Sequence, residues 1–156
     1  ALISEQFGNW KSPANYKRLE ARIKNVQPID EKIETPDKAN AFFLASYSWE
    51  YSDAEPDYAA LTLGHYMLGG GTASRLFSRI RGKEGISYGV GSFFSAGNLD
   101  KVGSFTAYAI YAPENVGRLE ETFKEEILKA VNEGFTAEEV EAAKSGWLQS
   151  RTVGRA

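Results

Sequence analysis

The chain has 156 residues, 42% of them apolar and 25% charged, enough for one ordinary domain with a core of its own. Its net charge of −3 gives no electrostatic case for binding nucleic acid or an anionic membrane, and no apolar run approaches the roughly 20 residues a membrane-spanning helix needs. With no cysteine, disulfides and thiolate metal sites are excluded.

Residues 1–10 read as the end of a helix, with Phe7 and Trp10 flanking Gly8 and Asn9 as an aromatic anchor at a chain reversal. Residues 11–40 carry Pro13, Pro28 and Pro36 among charges of both signs. Because proline denies backbone donors to helix and ladder alike, this stretch reads as an extended linker. Short strands are conceivable within it at Ala21–Val26 or Glu31–Glu34.

From Ala41 the pattern changes. In AFFLASYSWEY, Phe43, Ala45 and Tyr47 alternate with Leu44, Ser46 and Ser48, and both faces are partly apolar, as in a buried strand. Pro56 suits the first turn of a helix, and DYAALTLGHYML follows with apolar residues on two faces, which predicts a mostly buried helix. Gly69, Gly70 and Gly71 end it. Ser74 is placed to cap a second, short helix whose apolar stripe is Leu76, Phe77 and Ile80; this helix carries Arg75, Arg79 and Arg81 and stops at Gly82.

SYGVGSFFSA and GSFTAYAIYA read as two strands joined by the loop GNLDKV. After Pro113, apolar residues at Val116, Leu119, Phe123, Ile127 and Ala130 set the cleanest helical period in the chain, closed by Gly134. Thr136 with Glu139 forms a capping box for a last helix, in which Val140, Ala143 and Trp147 share a face. The order β-α-α-β-β-α-α predicts an α+β fold, a largely antiparallel sheet with helices packed on one face.

A catalytic zinc needs about three protein ligands, and a serine triad needs a histidine base. The chain has one histidine, His65, inside an apolar helical segment, where a structural role is expected. The triple glycine has no lysine after it, as a P-loop requires, and follows a helix where a dinucleotide fingerprint follows a strand. It reads as a helix–helix turn that needs positive φ and close packing, or as a loop whose backbone donors touch a peptide. Arg81 and Tyr88 are, on their own, an edge arginine and a strand tyrosine. The alternative is that a short helix and the next strand bring a guanidinium and a phenol to one point, as donors for a substrate carbonyl or a developing oxyanion. Glu84, Glu120, Glu121, Glu125, Glu126, Glu138 and Glu139 read as solvated acidic faces.

The stretch LGGGTASRLFSRIRGKEGISYGVGS resembles the signature of the C-terminal domains in the insulinase/pitrilysin family of zinc metallopeptidases, which includes the mitochondrial processing peptidase. FGNWKS…YKR resembles the end of a preceding domain with its linker, and IETPDKANAFFLASY a first strand, so the likeness extends over essentially all of the chain. The resemblance implies residues 1–30 as the end of a preceding domain and linker, and 31–156 as a processing-peptidase-like C-terminal domain lacking a further strand and helix. It implies a clamshell of homologous domains, one of which carries an inverted zinc motif and cuts peptides in an enclosed chamber. This chain has no such motif and resembles the non-catalytic half, so zinc is expected in another domain or chain. Arg81 and Tyr88 match an arginine and a tyrosine that reach the substrate in that half, and Gly69, Gly70 and Gly71 fall where the processing peptidase has a glycine-rich substrate loop. The implied partners are a peptide and a zinc-bearing homologous domain, with the bacterial periplasm as the expected compartment. A catalytically inactive scaffold subunit of the same fold is the alternative. The chain has no initiator methionine and breaks off at QSRTVGRA, and so reads as a piece of a longer protein.

Overall fold

In the computed structural model residues 2–155 are described. The fold is built around a three-stranded antiparallel sheet that closes late in sequence. β1 (Ala41–Trp49) and β2 (Ser87–Ala96) both pair antiparallel with β3 (Gly103–Tyr111), giving the order β1-β3-β2. β2 and β3 form a hairpin, whereas β1 reaches β3 only after two intervening helical segments: α2 (Tyr58–Leu68) and a π-helical turn (Phe77–Lys83). The helices α3 (Val116–Glu133) and α4 (Ala137–Val153) follow β3, after a 3-10 turn at Pro113–Asn115. The α+β architecture expected from the order of elements is the one observed.

Period-two alternation sorts the strands into two faces. On one, Val90, Ala107, Ala109 and Tyr111 join Ile80 of the π-helical turn, Leu76 just before it and Leu119 of α3 in the core. Phe43 of β1 closes it by meeting Phe123 of α3 edge to face, with ring centroids 5.1 Å apart. Small alanines at the centre of β3 let the fully buried Leu76, Ile80 and Leu119 approach the sheet.

The other face is open. Phe42, Tyr108 and Phe93 stack across the three strands, at 6.1 and 5.4 Å, and Phe42, Leu44 and Phe93 are exposed. β1 is thus an edge strand with one bare face, not the strand buried on both sides that its composition predicts. Helix α2 also departs from expectation, since none of its residues is fully buried; its flanks face β2 and α4 without being enclosed.

The N-terminal region differs more. Helix α1 (Leu2–Phe7) ends at a reversal where Phe7 and Trp10 touch each other, yet both are exposed. Residues 11–40 form neither of the two short strands considered above, and run extended with an isolated turn. They are tied down by side chains. Arg18 makes a two-pronged ion pair with Asp100 in the β2–β3 loop, at 2.7 and 2.6 Å, and the Ala21 amide donates to the same carboxylate. This pairing holds the Asp100 carboxyl down at about 2. Lys32 lies 3.6 Å from Glu120 of α3.

Helix α4 begins as its sequence dictates. The Thr136 hydroxyl accepts from the Glu139 amide and the Glu139 carboxylate accepts from the Thr136 amide.

Candidate substrate-contact site

The two residues singled out from the sequence, Arg81 and Tyr88, sit on two successive irregularities of the backbone. Between Phe77 and Lys83 the helix widens to π geometry, and the Glu84 amide reaches back five residues to the Arg79 carbonyl at 3.0 Å. A few residues on, β2 slips by one. Ser87 faces Tyr111 and Gly89 faces Ile110, so Tyr88 and Gly89 together oppose one residue of β3. The Ser87 hydroxyl pins the slip by donating within 2.9 Å of the Gly89 carbonyl and 2.8 Å of the Ile110 carbonyl.

Across this gap Arg81 Nη1 donates to the Tyr88 main-chain carbonyl at 2.7 Å, while its guanidinium lies over the Phe77 ring, 5.2 Å from the centroid. The Tyr88 side chain is exposed, as is Arg81. The contact between the pair is therefore guanidinium to backbone. The phenol is left free at the rim of the open sheet face. Among the described residues Arg81 has no carboxylate within ion-pair distance. Its neighbours differ sharply: Arg75 pairs with Glu139 at 2.6 Å, and Arg79 meets Glu84, Glu125 and Glu126.

The glycine run lies further along the same edge. The Ser92 amide donates to the Gly69 carbonyl at 2.9 Å, and His65 Nε2 lies 2.9 Å from the Ser92 carbonyl. A carbonyl only accepts, so Nε2 carries the proton, and His65 serves as a side-chain rung for the edge of β2. That is the structural role expected of it. Ser92 and Tyr88 are four residues apart, about 13 Å along a strand.

The glycines themselves do not use the positive φ that the sequence suggests; Gly69 has φ −154° and ψ 3°. Gly69 and Gly70 are required by crowding instead. A Cβ at Gly69 would collide with the Ser92 hydroxyl, and one at Gly70 would sit 2.8 Å from the Tyr66 Cα. Gly69 is buried, Gly70 exposed and Gly71 half-buried. Ser74 caps nothing with its side chain: its hydroxyl is buried without a partner, and only its carbonyl serves the following turn.

The acidic residues read as solvated faces are largely engaged. Glu84 takes hydrogen bonds or ion pairs from Arg79 and Arg118, at 2.7 and 2.9 Å, and its carboxyl is held below the usual range, chiefly by Arg118. The Glu139 carboxyl is held down at about 2, first by its hydrogen bonds from Arg75 and despite partial burial. The principal arginine partners, Arg118 for Glu84 and Arg75 for Glu139, lie 34 and 64 residues away in sequence, beyond the reach of local spacing rules. Among the described residues no three His, Asp or Glu side chains converge as metal ligands. The one imidazole is occupied by Ser92, so these residues do not fit a zinc ion.

Residues 1–146 match the family described as the peptidase M16 inactive domain. An uncharacterized zinc protease, YmxG of Bacillus subtilis, is 25% identical over 91% of the chain, and a non-peptidase homolog, YmxG of Helicobacter pylori, is 28% identical over 79%. The chain covers 33% and 28% of those two proteins. The crystal structure of a peptidase M16 inactive domain from Pseudomonas fluorescens superposes on 72% of the chain and 27% of its own length, with a TM-score of 0.62 and 28% identity. With residues 1–146 of its 156 matched, the chain belongs to the peptidase M16 inactive-domain family.

Proposed function

We propose that this chain is the substrate-clamping, non-catalytic domain of a zinc metallopeptidase, holding a peptide against a zinc site supplied by a homologous domain in the same or another chain. Residues 1–30 are then the end of a preceding domain and its linker. The observation that carries the reading is the convergence of the π-helical turn and the β-bulge. It leaves most donors of the Arg81 guanidinium and the whole Tyr88 phenol unengaged at one place. Two exposed donors, one of them charged, suit a peptide carbonyl and the oxyanion it becomes during hydrolysis. The Gly70 and Gly71 backbone borders the peptide further along β2, with Gly69 as its anchor.

The test is zinc content and peptide turnover in the full-length parent, beside its Arg81→Ala and Tyr88→Phe variants. Each substitution should lower kcat/KM by roughly ten- to a thousandfold, as loss of an oxyanion donor does, with zinc content unchanged. Undiminished turnover in both variants rejects the reading.

A scaffold that keeps the fold without the chemistry is the second reading, and the Helicobacter pylori relative, described as a non-peptidase homolog, favours it. A parent that binds no zinc and cuts no peptide would establish it.

A further inference from the structure

Arg81 is exposed and has no carboxylate to hold it among the described residues, yet its guanidinium is fixed on the Tyr88 carbonyl. A long side chain with one surface hydrogen bond is ordinarily spread over many rotamers, since ordering it costs conformational entropy. A second contact is needed, and the ring of Phe77 provides it at 5.2 Å. We propose that Phe77 is the positioning residue of this site, a half-buried aromatic platform that holds Arg81 extended towards Tyr88.

Three observations support it. Phe77 packs on the core beside the fully buried Leu76 and Ile80, so its ring is itself fixed. Its ring meets both the core and the guanidinium, the latter 5.2 Å from the centroid. The third observation concerns the backbone. Leu76 and Ile80, four apart, are both fully buried, as an ordinary α-helical turn already allows, so burial alone does not call for the widening. The widening runs from Phe77 through Arg81 to Lys83: the π-helical turn carries both Phe77 and Arg81, the bulge carries Tyr88, and the 2.7 Å hydrogen bond joins Arg81 to the bulge. Arg79 and Arg81 flank Ile80 and serve opposite sides, one the acids of α3 and the other β2.

The consequence for turnover rests on the reading of Arg81 as a substrate contact; the hold of Phe77 on Arg81 does not. Both are tested in the full-length parent with its zinc-bearing partner domain. Phe77→Leu keeps apolar bulk and removes the aromatic face, and Phe77→Tyr restores the face. In Phe77→Leu, nitrogen relaxation at Arg81 Nε should show a more mobile side chain, and Phe77→Tyr should return it to the parent's order. Arg81 equally ordered in all three overturns the proposal. In peptide turnover, Phe77→Leu should lower kcat/KM about tenfold, the scale of a misplaced contact group, and should add nothing in the Arg81→Ala background. A loss of the same size in that background marks Phe77 as merely structural and overturns the proposal. If Arg81→Ala alone leaves turnover intact, the functional reading fails, and relaxation at Nε still decides whether Phe77 holds Arg81.

Discussion

Glu139 answers to two masters: its carboxylate closes the capping box of α4 and receives two hydrogen bonds from Arg75. Its folded pKa of about 2 lies below the unfolded value of about 4.3. The stabilisation is therefore complete above the unfolded value and lost as pH falls towards the folded one. Glu139→Gln should cost about 1 to 2 kcal/mol near neutral pH, less than a fully buried pair because the carboxylate is a third exposed. The gap between variant and parent in urea melts should close between about pH 4 and pH 2. A gap that stays constant over that range contradicts the assignment. Gly69 supplies a second residue-level prediction. Gly69→Ala forces a methyl group into Ser92 and to 3.1 Å from Leu76 Cδ1, and should destabilise by about 1 to 3 kcal/mol. At Gly71 the nearest atoms to a new methyl are the Tyr66 ring at 3.6 Å, so Gly71→Ala should change the urea midpoint little. Sequence shows that these glycines matter but not why, because the neighbour that excludes a side chain at Gly69 comes from β2, over twenty residues on.

At the level of elements, the regular pieces were legible and the irregular ones were not. The α3 period, the Gly134 stop and the Thr136–Glu139 box are local patterns, and each appears where the residues put it. The SYGVGSFFSA and GSFTAYAIYA strands likewise follow from their alternation. Neither the π-helical widening nor the bulge has a sequence signature, since both settle a mismatch of register between elements that meet only in the folded chain. The same limit explains β1. Its aromatics read as buried on both faces because composition cannot distinguish an apolar face covered by helices from one left bare. The spacing of Arg81 and Tyr88 was visible, but not that the contact would run from guanidinium to main chain. For the same reason the two arginines beside Ile80 looked alike in sequence, although only one of them meets carboxylates.

On the scale of the whole molecule, order is uneven. Residues 11–40 make almost no main-chain hydrogen bonds, whereas β3 is bonded on both sides along its length. Amide hydrogen exchange should therefore be fastest in residues 11–40, with the exception of Ala21, whose amide is held by Asp100, and slowest at Ala107 and Ala109 in β3. Comparable protection across both regions would mean that the linker packs in a way these contacts do not describe.

The two borders of the sheet are treated differently. Along β2, Arg81, Gly69, His65 and Asp53 engage the backbone groups of Tyr88, Ser92 and Gly97. Along β1, none of residues 11–40 makes a main-chain hydrogen bond to the strand. Strand addition is thus hindered along β2 and not opposed by main-chain bonding along β1 among the described residues. Two copies joining through β1 would each present the partly engaged β2 border outward, which disfavours further growth beyond a dimer.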